Sequence, residues 1–114
     1  MSWGPMDEID DSDASVGSAE VTIDDAGIAV IKLSGEIDMS NVDSLRDVIE
    51  PIVQTTHERV DFDLGALAFM DSSGIALLLR VAAKAGSVHL RGPSALVRRM
   101  IEATGLSDVL VIDR

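Results

Sequence analysis

The sequence predicts an α/β domain: a mixed, mostly parallel β-sheet with helices packed against it, in the order β-β-α-β-α-β-α-β. Three observations predict it. Short runs rich in Val, Ile and Leu alternate with polar residues, as strands do. Between them, apolar residues recur every three or four positions, as on one face of a helix. Strands alternating with helices need crossover connections and so pair mostly in parallel, whereas the first two strands are separated only by a tight turn.

The folded part is expected to begin near Glu20, where Val21 and Ile23 alternate with polar neighbours. Asp24-Asp25-Ala26-Gly27 is a hairpin turn signal, and Ile28–Leu33 reads as the second strand. Ser34-Gly35-Glu36-Ile37-Asp38 reads as a loop. Ser40 is a good N-cap for the first helix, with Asp43 three residues on as in a capping box. Val42, Leu45, Val48, Ile49, Ile52 and Val53 give that helix its apolar face, and Pro51 is expected to kink or end it near Glu50. Arg59–Leu64 reads as the third strand, with Val60, Phe62 and Leu64 on one face; Gly65–Met70 reads as an inward-packing connection. Asp71-Ser72-Ser73-Gly74 opens a helix to about Lys84, and Ser87–Arg91 is the fourth strand. Pro93 starts a third helix to about Thr104, with Gly105 as its terminator, and Val109–Ile112 is the last strand.

The 114 residues suit one domain, able to bury roughly 65% of its unfolded surface without cross-links. Absent cysteine removes disulfides, thiolate metal sites and cysteine nucleophiles. Only 3% of residues are aromatic, so the core must be aliphatic and a base-stacking platform is not expected. A net charge of −11 argues against nucleic acid and anionic membranes. The charge is uneven. Residues 1–20 hold six acids and no base, so 1–19 reads as a disordered acidic tail and 20–114 as the domain. Residues 21–71 hold 11 acids against three bases, whereas residues 72–114 hold three acids against six bases. The start has neither the basic nor the apolar stretch of a signal peptide, and no run of about 18 apolar residues occurs.

The segment of most chemical interest is Phe69-Met70-Asp71-Ser72-Ser73-Gly74-Ile75. It places two hydroxyls and a carboxylate where a chain enters a helix, whose unpaired N–H groups favour an anion. A phosphate on either serine suits that place; so does the simpler reading in which Asp71 or a serine caps the helix and Gly74 permits close packing. A nucleophile elbow fails here, because Met70 or Asp71 stands where its first glycine belongs. His57, in a loop, and His89, in a strand, are the only histidines and neither lies near in sequence. Asp61 with Asp63 reads as a solvated strand face, Asp24 with Asp25 as a turn, and Arg98-Arg99 as the polar face of the last helix. Neither phosphate-binding glycine motif is present.

Taken together, Ser34-Gly35-Glu36-Ile37-Asp38, then Phe69–Ile75, then Pro93-Ser94-Ala95-Leu96-Val97-Arg98 with Thr104-Gly105-Leu106 resemble the STAS domain of bacterial anti-sigma factor antagonists. The resemblance covers roughly residues 20–114. It implies a STAS-like mixed sheet and a cytoplasmic regulator of transcription with no catalysis of its own and no cofactor or metal. Such a protein binds an anti-sigma factor that is also a serine kinase, and so releases the sigma factor in partner switching, often in a stress response. The kinase phosphorylates the serine after the motif's Asp, here Ser72, and a PP2C-type phosphatase reverses this. Spacing treats Ser72 and Ser73 alike; the resemblance selects Ser72. It also implies that Gly35, Glu36, Asp38, Asp71, Ser73, Gly74 and Ile75 bind the partner, with Asp38 near the phosphorylated serine. Other STAS proteins serve as non-catalytic subunits of lipid-transport ABC complexes or as stress-signalling scaffolds, the alternative role. Oligomeric state stays open. Pro51, the acidic tail and the short Ala85-Gly86 connection depart from the family pattern, and none touches Ser72.

Overall fold

A computed structural model describes residues 17–55, 59–106 and 108–113. The acidic tail, apart from its last three residues, and His57 lie outside the described residues. The elements follow the expected order: β1 (Ser18–Ile23), β2 (Ala29–Ile37), α1 (Val42–Thr55), β3 (Arg59–Met70), α2 (Ser72–Lys84), β4 (Ser87–Arg91), α3 (Ala95–Glu102) and β5 (Leu110–Asp113). They build one five-stranded sheet in the order β1-β2-β3-β4-β5. β1 and β2 pair antiparallel, and every later pair is parallel. Each parallel step moves the same way along the sheet, so right-handed crossovers put α1, α2 and α3 on one face.

The hairpin closes as its sequence suggests. The Asp24 carboxylate accepts the N–H groups of Ala26 (2.9 Å) and Ile28 (3.0 Å), and Gly27 takes a positive φ of 81°. The helix-facing side of the sheet is aliphatic apart from Phe62, which is fully buried with Ile31, Leu64, Val88, Leu90 and Leu110. Leu45, Ile49 and Val53 of α1, Leu78 and Val81 of α2, and Val97 and Ile101 of α3 close over them. Each such side chain contributes about 1.5–3 kcal/mol on burial, which makes this layer the main source of stability.

Five local expectations are corrected. Ser34–Ile37 is not a loop but the end of β2, and Gly65–Met70 is not a connection but the second half of β3. The two segments pair with each other, Glu36 opposite Phe69 and Ile37 opposite Met70. Two register shifts let β3 carry two more residues than β2 between Val60 and Met70. Leu64, Leu67 and Met70 therefore face the core at every third position, a spacing that hides the strand from a period-two reading. Ser40 does not cap α1: its N–H and hydroxyl both bond the Asp38 carboxylate, while Asp43 pairs with Arg46. Pro51 does not end α1, which continues to Thr55; Pro51 is exposed and the buried Val53 lies beyond it, so packing holds the final turn. β1 begins at Ser18, two residues before the expected start.

The last correction concerns Asp61, which is fully buried. It lies on the sheet face away from the helices, alternating with Val60 and Phe62, and two arginines cover it. Arg59 Nε reaches Asp61 Oδ1 at 2.7 Å, and Arg91 Nε reaches Oδ2 at 2.7 Å. Arg91 also holds Asp24 (3.0 Å) and Arg59 also holds Asp113 (3.3 Å), whose other oxygen meets His89 Nδ1 at 3.1 Å. Burial alone would raise the Asp61 carboxyl, but the bonds from Arg59 and Arg91 outweigh it and hold it below the usual range. The sequence shows alternation there but not that two arginines arrive from β3 and β4. Among the described residues no three His, Asp or Glu side chains converge as a metal site.

Candidate functional site

The site is built where β3 ends and α2 begins. Asp71 is extended (φ −98°, ψ −167°) and caps α2: its Oδ1 accepts the Ser73 N–H at 2.8 Å and the Ser73 hydroxyl. Its carbonyl accepts the N–H groups of Gly74 (3.0 Å) and Ile75 (3.2 Å). The Ser73 hydroxyl is the main cause that holds the Asp71 carboxyl below its ordinary value; partial burial opposes it, and the Ser73, Gly74 and Met39 backbone amides reinforce it. Asp71 is therefore a carboxylate at neutral pH and occupies the orphan donors of the first turn.

Ser72 is left over. It is exposed, and among the described residues no hydrogen bond uses its hydroxyl. Ser73 is half-buried with its hydroxyl committed to Asp71. The two serines that spacing treats alike are thus in different chemical states.

The loop after β2 abuts this cap. The Asp71 N–H donates to the Ile37 carbonyl at 3.0 Å, which ties the ends of β2 and β3 together. Asn41 braces the loop: its Oδ1 accepts the Asp38 N–H at 3.0 Å, and its Nδ2 donates to the Glu36 carbonyl at 2.8 Å. Asp38 stands in this loop as expected, but its carboxylate is engaged by Ser40. Glu36 is exposed opposite Phe69, three residues before Ser72. Gly35, opposite Leu67, takes a positive φ of 80° beside the register shift that a side chain would strain.

Gly74 is buried, and a Cβ there would lie 2.8 Å from the Met70 Cβ. It serves by letting α2 sit against the end of β3 and Ile37, as the simpler reading of the motif had it. Ile75 is half-buried against the core. Sequence reasoning missed three features. Met39, at the loop tip, is 78% exposed, and Phe69 is 39% exposed, so apolar surface flanks the serine. Asn41 was hidden by the stronger-looking Ser40 beside it. Between α1 and α2 runs a groove of about 210 Å³ lined by Val42, Arg46, Ser73, Ala76, Leu77 and Arg80; helix pairing alone creates it.

The family model described as "Mlab, STAS domain" matches residues 19–112. The chain belongs to the STAS domain family. Among curated STAS relatives, the anti-sigma F factor antagonist of Lysinibacillus sphaericus is 38% identical over 82 residues, covering 68% of this chain and 70% of the relative. A solved anti-sigma factor antagonist from Mycobacterium paratuberculosis superposes with a TM-score of 0.76 at 28% identity, covering 84% of each chain. The Bacillus cell fate determinant SpoIIAA, solved in its phosphorylated form, superposes with a TM-score of 0.65 at 25% identity, covering 85% of this chain and 92% of that one. The mixed sheet and three helices of this STAS domain agree with the fold read from the sequence. No helix among the described residues is long and apolar enough to cross a membrane.

Proposed function

We propose that this STAS domain is an anti-sigma factor antagonist switched by phosphorylation at Ser72. Unmodified, it binds an anti-sigma factor of the serine-kinase type and thereby frees a sigma factor. The kinase phosphorylates Ser72 and a PP2C-type phosphatase removes the phosphate. The chain acts as ligand and substrate in the cytoplasm, without catalysis of its own. The observation that carries this reading is the exposed Ser72 hydroxyl, which no hydrogen bond engages among the described residues, beside a Ser73 hydroxyl locked to Asp71. The antagonist names of the similar proteins support it.

The mechanism follows from charge and space. A phosphate adds about −1.5 to −2 charge and three acceptor oxygens to a neutral position. The α2 N-terminus tolerates that charge locally, so α2 need not unfold. Asp71 is adjacent in sequence, and the loop carrying Asp38 lies against the cap. A partner packed on Ser72, with Met39, Phe69, Glu36 and Ile75 around it, would have to bury a dianion in an already acidic contact. Release by steric and like-charge conflict follows, without refolding.

The test is phosphorylation of the purified protein by its cognate kinase and ATP, with the product mapped. Phosphate on Ser72, tight binding by Ser72→Ala and lost binding by Ser72→Glu are expected. No phosphate on Ser72 together with undiminished binding by Ser72→Glu would falsify the reading. Recovery of an ABC-type permease or ATPase as the main cellular partner would favour the transport-subunit role instead.

A further inference from the structure

The α1–α2 groove opens beside the cap and shares Ser73 with it. Ser73, Ala76, Leu77 and Arg80 line one side at successive turns of α2, and Val42 and Arg46 line the other from α1. Ala76 is too small to fill the space opposite Val42, so an apolar floor of Val42, Ala76 and Leu77 stays open. The rim carries two arginines, each in an ion pair. Arg46 is held by an exposed Asp43 in the adjacent turn (3.0 Å) and Arg80 by Glu50 (3.1 Å). The Arg46 pair is an exposed one, held weakly, and Glu50 keeps Lys84 at 3.4 Å when Arg80 turns away, so either guanidinium can turn to a better-placed carboxylate.

We propose that this groove takes a Glu or Asp side chain of the anti-sigma factor: its methylene stem on Val42, Ala76 and Leu77, its carboxylate on Arg46 and Arg80. This rests on the antagonist reading and deepens it. Charge complementarity selects the occupant, because an apolar floor rimmed by two guanidiniums suits a short aliphatic stem ending in an anion. Continuity through Ser73 makes the groove an extension of the Ser72 contact. The partner would then present basic groups toward Glu36, Asp38 and Asp71, and an acidic group one to two helical turns away.

The test is calorimetric titration of the intact chain with the purified kinase-type anti-sigma factor at low and moderate salt. Arg46→Gln with Arg80→Gln is expected to weaken binding roughly tenfold, to flatten its salt dependence, and to leave the thermal midpoint within a few degrees. Arg98→Gln with Arg99→Gln, the same charge change on α3, is expected to leave affinity within twofold. An Arg80→Glu chain should regain affinity when one partner acid is changed to Lys. Wild-type-like affinity in the groove double variant, equal loss in the α3 variant, or an Arg46- and Arg80-dependent homodimer in sedimentation overturns the groove assignment while the functional reading stands. No binding by the wild-type chain overturns both.

Discussion

The Asp71 carboxylate holds Ser73 twice, through its backbone N–H at 2.8 Å and through its hydroxyl, while among the described residues no hydrogen bond engages the hydroxyl of the neighbouring Ser72. Ser73→Ala is expected to cost about 1.5 kcal/mol, the low end for one hydrogen bond to a charged group, while Ser72 is still phosphorylated at a near-normal rate. Ser72→Ala should leave the urea midpoint unchanged and abolish phosphorylation. A mass-spectrometric phosphosite map on the two variants checks both; phosphate moving to Ser73 in wild type would contradict the geometry.

Acid should loosen this cap. The Asp71 carboxyl is held below its unfolded value of about 3.9. A depressed carboxyl contributes stability that is present above the unfolded value and lost as pH falls through the folded one. Urea midpoints measured from pH 6 down to pH 3 should therefore fall less steeply for Asp71→Asn than for wild type, with Asp71→Asn already less stable at pH 6.

Gly74→Ala is expected to destabilise by about 1–3 kcal/mol, although alanine is the better helix former, because its Cβ would meet the Met70 Cβ at 2.8 Å. That atom is near the backbone and cannot swing away. Chemical denaturation reads this directly. A stability equal to or above wild type would show that β3 and α2 separate more easily than their packing implies.

Asp61→Asn should cost about 2–3 kcal/mol, at the low end for a broken buried ion pair, since the Arg59 and Arg91 side chains it leaves behind are partly exposed and can turn to water. Asp61 is also depressed, so its contribution is lost as pH falls below about 4, and the variant's stability should be flatter with pH there. An unchanged pH profile would mean the arginines do not hold the charged form.

Pro51→Ala should stabilise the chain by about 1–3 kcal/mol. It restores a backbone donor inside α1 at an exposed position where no ring contact is lost from the core. A gain in the thermal midpoint checks it, and no gain would mean that α1 is already distorted at Glu50.

Periodicity and turn chemistry by themselves determined the order of the eight elements, because each reports a local property: alternation at Val60, Phe62 and Leu64, helical spacing through Leu45, Ile49 and Val53, and the Asp24–Gly27 turn. The Asp-Ser-Ser-Gly segment with the upstream Gly-Glu-Ile-Asp was specific enough to mark the family. Neighbours in space decided the rest. Bulges spread the core contacts of β3 to every third residue and concealed its second half. Packing of Val53 carried α1 past Pro51. Arg59 and Arg91, meeting from separate strands, turned Asp61 from a solvated residue into a buried one. Ser72 and Ser73 are both hydroxyls in the same turn, and spacing treats them alike; the cap geometry separates them, because the Asp71 carboxylate engages the Ser73 hydroxyl and, among the described residues, no hydrogen bond engages that of Ser72.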